Sequence, residues 1–162
     1  MTVFGKPLSA YVRFARVFLA LIVIVAIVRL ALSLGGVPTE IARWASVTAL
    51  FWIGTIYFGV RVHTTGFGSY RHLLPIYVLQ LLAAQIVIVP AIIAAIATGR
   101  DNIFSLPEFA FGADGKTWTH VLGHLFIGPT VGSLFNWVVG CLVMLVTKKA
   151  TRNQTMPAGR PA

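Results

Sequence analysis

The sequence predicts an all-α membrane protein of four transmembrane helices with both termini in the cytoplasm, and three observations carry the prediction. Hydrophobic residues make up 57% of the 162-residue chain and charged residues 10%, against about 25% charged in an ordinary soluble domain; the mean hydropathy is +0.86. The apolar residues gather into charge-poor stretches near residues 17–34, 44–60, 73–99 and 117–147, and a helix crosses a hydrocarbon core with about 20 of them. The charges also separate by sign. Lys6, Arg13, Arg16, Arg61, Arg71, Lys148, Lys149, Arg152 and Arg160 lie in the N-terminal segment, the 61–72 loop and the C-terminal segment, with no acid among them. Glu40, Asp101, Glu108 and Asp114 lie in the other two loops, accompanied by Arg43, Arg100 and Lys116. The bias of Lys and Arg toward the cytoplasmic side orients a multi-pass chain, which here puts both termini in the cytoplasm; the expected class is a polytopic inner-membrane protein.

The first span follows Lys6, Arg13 and Arg16. Its run from Val17 to Val28 resembles a signal-peptide core, and Ala31-Leu32-Ser33 a cleavage site. Apolar character resumes after Arg29, so a retained anchor is expected. Gly35, Gly36 and Pro38 end that helix, and Thr39 is the expected N-cap of the next. Span two carries Trp44 and Tyr57 near its two ends, where amphipathic aromatics meet the membrane interface. The 61–72 loop reads RVHTTGFGSYRH, with Gly66 and Gly68 permitting a reversal. Pro75 suits the first turn of span three, and Pro90, which takes no hydrogen bond to Ile86, predicts a bend. The 99–117 loop mixes Phe104, Leu106, Phe109 and Phe111 with acids and is expected to lie on the interface. Span four would make about 46 Å of helix at 1.5 Å per residue, more than the roughly 30 Å of a straight crossing. A kink or break at Gly128-Pro129 is the expected resolution, with Gly132 or Gly140 facing another helix. Residues 1–147 then form a single four-helix domain, and residues 148–162 a disordered basic cytoplasmic tail.

Polar residues inside the spans are the candidate transport-path positions: Arg29, Gln80, Gln85 and Asn136. An ionised side chain at membrane depth is costly and calls for a partner. Helical side chains lean toward the N-terminus, which makes outward snorkelling of Arg29 awkward, so an ion pair with Glu40 or Glu108 is the structural expectation. Gln85 and Asn136 fall at similar depth, and a hydrogen bond between them would be ordinary packing between membrane helices.

His120 and His124 are spaced i, i+4 and share one face of a helix. Two imidazoles can hold a transition metal, but a catalytic zinc site needs three protein ligands and a water. Asp114 and Glu108, on the same side of the membrane, are the carboxylates that could complete the set, while anchoring at the interface beside Trp118 is the structural alternative. His63 and His72 sit at the opposite side, so the four histidines do not offer two haem ligands at one depth. With Arg61 and Arg71 they form a candidate contact for anionic lipid head groups.

The net charge of +9 does not indicate nucleic acid, because the basic residues sit at membrane boundaries rather than on one polar face. Cys141 alone provides neither a disulfide nor a Cys-based metal pattern. Nucleotide loops, a Gly-x-Ser-x-Gly elbow and His-Glu-x-x-His are missing from the sequence, and no cofactor is expected. The partners implied are the lipid bilayer and other membrane proteins or further copies of the chain. A non-catalytic accessory or interaction subunit is the reading that results. An oligomeric small-solute or ion transporter and a metal-dependent membrane enzyme centred on His120 and His124 are the alternatives.

Overall fold

A computed structural model describes residues 1–110 and 112–155. Helix α1 runs Leu8–Leu34, α2 Thr39–Ala42, α3 Val47–Thr64, α4 Tyr70–Thr98, α5 Trp118–Leu122 and α6 Gly128–Thr155, with a short 3-10 turn at Pro107–Phe109. Four helical stretches are long and apolar enough to cross a membrane: Leu8–Leu34, Thr39–Thr64, Tyr70–Thr98 and Trp118–Arg152. Hydrocarbon offers no partner for a free amide or carbonyl, so a helix, which satisfies its own backbone, is what an apolar stretch becomes there.

Helix α4 is the centre of the bundle, packing on α1, α3 and α6, while α3 and α6 pack on each other. Small residues let the helices close. A methyl group added at Gly132 would meet Leu81, and one at Gly140 would collide with the Tyr77 ring, so these two glycines of α6 face α4. At Gly59 an added methyl would lie 2.8 Å from Val143. Tyr77 donates its hydroxyl to the Thr55 carbonyl at 3.0 Å, fastening α4 to α3 where the two helices meet α6.

Several elements differ from the sequence expectation. Residues ahead of α1 form a small antiparallel hairpin, Thr2–Val3 (β1) with Lys6–Pro7 (β2). Its turn residues, Phe4 and Gly5, have φ values of 51° and 83°, as the tight hairpin turn that matches strand twist demands. Tyr11 seals it to α1 by donating to the Val3 carbonyl at 2.8 Å. Helix α1 therefore starts at Leu8, and Arg13 and Arg16 are helical. Thr39 is the first residue of α2 rather than a cap, and Ser46 caps α3 by accepting from the Ala49 amide at 3.1 Å. Helix α6 carries the chain past Lys148 and Lys149 to Thr155; the rest of the expected tail, residues 156–162, lies outside the described residues.

The fourth span is helical from Trp118 onward, but Gly123–Ile127 form a π-helical turn between α5 and α6. The Gly128 amide bonds back to the Gly123 carbonyl. A widened turn at this place has a local cause: Pro129 lacks an amide hydrogen and its ring crowds the carbonyl four residues earlier, which a shift of register relieves.

The 99–117 loop does not lie flat on an interface. Asn102, Ile103, Phe104 and Ser105 are buried and plug the bundle end between α1 and α4. Asn102 donates to the Ala91 carbonyl at 2.7 Å, and the Ile103 amide donates to Ser33 Oγ at 2.9 Å. Ser105 reaches the Asn102 carbonyl. These bonds satisfy loop backbone that burial removes from water.

Candidate functional site

The polar groups inside the spans converge most closely at the end of the bundle that carries the acidic loops. Gln85, on the buried face of α4, accepts from His124 Nδ1 at 3.1 Å. His120 Nδ1 meets the Gly115 carbonyl at 2.8 Å, and the two imidazoles lie with ring centroids 4.8 Å apart. A carbonyl oxygen only accepts, so each Nδ1 carries a proton, which in the neutral imidazole leaves the lone pair on Nε2. Gly115 is placed by close packing: a side chain there would collide with the Ser105 carbonyl. The buried 102–105 plug thus fixes the acceptor of His120, while α4 fixes that of His124.

This arrangement differs from the expected Gln85–Asn136 hydrogen bond. Gln85 turns to His124 instead, because the π turn brings residue 124 against α4 whereas Asn136 lies further along α6, where it is buried without a bond to Gln85. Asp114 and Glu108 are not brought to the histidines as ligands. Asp114 accepts the Lys116 amide at 2.9 Å, Glu108 is exposed on the 3-10 turn, and among the described residues no group of three His, Cys, Asp or Glu could hold a metal ion.

Arg29 also departs from expectation. It is only 8% exposed, and the ion pairs formed among the described residues are those of Lys116 with Asp101 at 2.6 Å and Asp114 at 3.6 Å. The Arg29 guanidinium lies 4.7 Å from the centre of the Phe109 ring and 5.7 Å from that of Phe104. The aromatic residues of the loop thus supply the contact expected of a carboxylate, since a ring face attracts a cation that has lost its water. Arg29 Nε is buried without a hydrogen-bond partner.

Gln80 is fully buried in α4 with both amide atoms unpartnered. Its oxygen lies so near α3 that a methyl at Gly54 would come within 2.6 Å. Of the four candidate path residues, then, Gln85 bonds a histidine, Arg29 packs on rings, Gln80 packs on a glycine, and Asn136 is buried.

The opposite end, bearing the N-terminal hairpin and the 61–72 loop, divides the expected lipid contacts in two. Arg61 and Arg71 are exposed, Arg61 over the rings of Phe14 and Tyr57 and Arg71 over Phe4. His72 is not available to lipid: it is buried, its Nδ1 accepts the Ser69 amide at 2.9 Å, and its ring stacks near Tyr11. Its place three residues after the cap explains this, because a side chain there reaches back to an otherwise unpaired amide. His63 turns toward α6, with Nε2 3.2 Å from Thr151 Oγ1.

No protein-family model matches this chain, and no match is found among curated proteins or solved structures. The functional reading therefore rests on side-chain chemistry.

Sequence reasoning treated Arg13 and Arg16 only as orienting charges. They line a groove of about 730 Å³ with Arg61, Phe14, Phe18 and Tyr57. The signal that could have found it is the i, i+3 spacing of the two arginines once the helix is started just after Pro7.

Proposed function

We propose that this chain is a multi-pass inner-membrane protein with both termini in the cytoplasm, acting as a non-catalytic accessory or interaction subunit. The observation that carries the reading is the internal use of two span polar groups, Gln85 on His124 and Arg29 on Phe104 and Phe109. Polar side chains that glue helices stabilise a bundle by about 0.6 kcal/mol each, whereas a permeation path needs them on a shared wet surface. Helices α1 and α6 turn Ile24, Ile27, Val131, Val138 and Leu142 outward, leaving apolar flanks for lipid or for neighbouring membrane proteins. The π turn ahead of Pro129 supports a change of direction in the last span at Gly128-Pro129.

The test places a photo-crosslinking amino acid at Val138 and at Val131 in turn, in native membranes, and reads the adducts by mass spectrometry. A defined protein adduct, or one to a second copy, from either position agrees with an interaction subunit; lipid adducts alone from both, together with solute flux in reconstituted vesicles, would replace it with the transporter. Orientation is tested separately after Cys141→Ser: a cysteine placed in the 100–116 loop should react with an impermeant reagent in intact cells, and one in the 61–72 loop only after permeabilisation.

A second reading has one observation in its favour. With both Nδ1 atoms donating to fixed oxygens, the free Nε2 atoms of His120 and His124 have the second-shell support usual for metal ligands. Elemental analysis of the purified protein decides it: stoichiometric zinc, iron or copper, lost in both His120→Ala and His124→Ala, would establish the metal enzyme over the accessory role.

A further inference from the structure

We infer that the groove between α1 and the inner end of α3 is a binding site for one anionic glycerophospholipid, with its phosphate on Arg13, Arg16 and Arg61 and an acyl chain running along α1. This goes beyond the accessory role and would stand if that role failed. The groove, about 730 Å³, has three arginines and aromatic side chains from α1 and α3 along its wall. Ligand sites of drug-sized molecules span about 300–1,000 Å³, enough for a phospholipid head group and the upper part of a chain.

Charge is the first argument for the occupant. All four acids lie in the two loops at the opposite end of α1, and from Arg13 and Arg16 to that end of the helix at Leu34 is about 30 Å at 1.5 Å per residue. Among the described residues the three guanidinium groups therefore have no acidic side chain within reach, and the ion pairs formed there belong to Lys116. Uncompensated cations in a concave site concentrate anions. Arginine suits a phosphate in particular, because its planar fork donates two parallel hydrogen bonds to two oxygens.

Pre-arrangement is the second argument. Arg61 is held over Phe14 and Tyr57, 5.9 and 5.4 Å from the ring centres, and Phe14 is itself stacked on Phe67 at 4.0 Å. A guanidinium resting on rings loses less freedom when a ligand arrives. The third argument is shape. Beyond the arginines, the same side of the groove runs through Val17 and Phe18, and α1 continues toward the middle of the bundle with Leu21 and Ile24 outward. A charged mouth leading to an apolar wall at membrane depth matches an amphiphile. Neither a free phosphate nor a nucleic acid has an apolar part to place there.

The experiment uses the full chain in nanodiscs containing equal amounts of phosphatidylglycerol and phosphatidylcholine, with retained lipid measured by native mass spectrometry after release. Phosphatidylglycerol should be enriched about tenfold over phosphatidylcholine. The enrichment should be lost in Arg13→Gln/Arg16→Gln/Arg61→Gln and kept in Lys148→Gln/Lys149→Gln, which removes charge from the same end of the bundle. Ala10→Trp fills the groove while leaving every arginine, so it should also lose the lipid and keeps the test open if the triple variant does not fold. Equal loss in the lysine variant would reduce the site to general surface charge and overturn the proposal. So would undiminished enrichment in the folded triple variant or in Ala10→Trp. Because retention is measured on purified protein, a reversed membrane orientation would leave it unchanged, and the two failures are distinguishable.

Discussion

Gly140 on α6 lies so close to the Tyr77 phenol on α4 that a single methyl group at residue 140 would overlap the ring oxygen. The same oxygen donates to the Thr55 carbonyl of α3 at 3.0 Å, so one side chain and one missing side chain set the spacing of three helices. Gly140→Ala should destabilise the bundle by about 1–3 kcal/mol, the usual cost of overpacking, read as a lowered melting temperature in detergent. Tyr77→Phe removes the first atom the methyl meets. The double variant should therefore be more stable than the sum of the single losses; strict additivity would mean that the methyl is accommodated elsewhere.

Gln80 is expected to weaken the fold that contains it. Its amide is fully buried and neither polar atom has a partner, and an unsatisfied buried group costs about 1–3 kcal/mol. Gln80→Met keeps the length of the side chain and removes the need for partners, so it should raise the melting temperature. A clear loss of stability would show that the amide makes bonds in the membrane that its packing against Gly54 does not reveal.

The Gln85–His124 hydrogen bond predicts a measurable coupling. A double-mutant cycle with Gln85→Leu and His124→Leu should give an interaction energy of about 0.6 kcal/mol, the average for hydrogen bonds between membrane helices. The same cycle with Asn136→Leu in place of His124→Leu should give none. Coupling to Asn136 instead would place the π turn elsewhere.

The 99–117 loop should respond to pH at two extremes. The Lys116 backbone amide and then its ammonium charge hold the Asp114 carboxyl below its ordinary 3.8, and the hydrogen bond to Asp101 raises the Lys116 ammonium above its ordinary 10.5. The contribution of Asp114 is present above 3.8 and fades as pH falls through its lowered folded value. That of Lys116 is complete below 10.5 and fades as pH rises through its raised one. Both groups are exposed, so the effect is local. Fluorescence of the neighbouring Trp118 should change outside these limits, and Lys116→Met should remove the change at high pH while leaving most of the one at low pH, because the backbone amide of residue 116 still donates to Asp114.

The expected corrections at His72, Arg29 and Asn136 share one origin. Their residue types announced that each needs a polar or electrostatic partner; burial was anticipated for Arg29 and Asn136 as polar residues in spans, whereas His72 was expected at the lipid head groups and is buried instead. The contact Arg29 makes depended on the path of the 99–117 loop, the loss of the Gln85–Asn136 bond on helix rotation, and the His72 contact on the cap at Ser69. Phe104 and Phe109 were visible as loop aromatics, but nothing local shows that the loop folds inward over Arg29. The hairpin of residues 2–7 was likewise missed, because an N-terminal segment of seven residues carries too little periodicity to separate a strand pair from a loop, although Phe4-Gly5 occupies its turn.

By itself the sequence determined the four long helices and the gathering of acids at one end of them. Both are one-dimensional properties: about 20 apolar residues suffice for a span, and a helix meets its hydrogen-bonding needs within itself. Only the tertiary structure decided that Gln85 meets His124 and that Arg13, Arg16 and Arg61 share a groove. The physical reason is that residues facing lipid and residues facing another helix are equally apolar, so hydropathy does not mark the rotation of a span about its axis. Each polar contact that fixes that rotation is worth well under the energy of burying the helix in the bilayer, and its partner is chosen by where the backbone of another helix happens to come close.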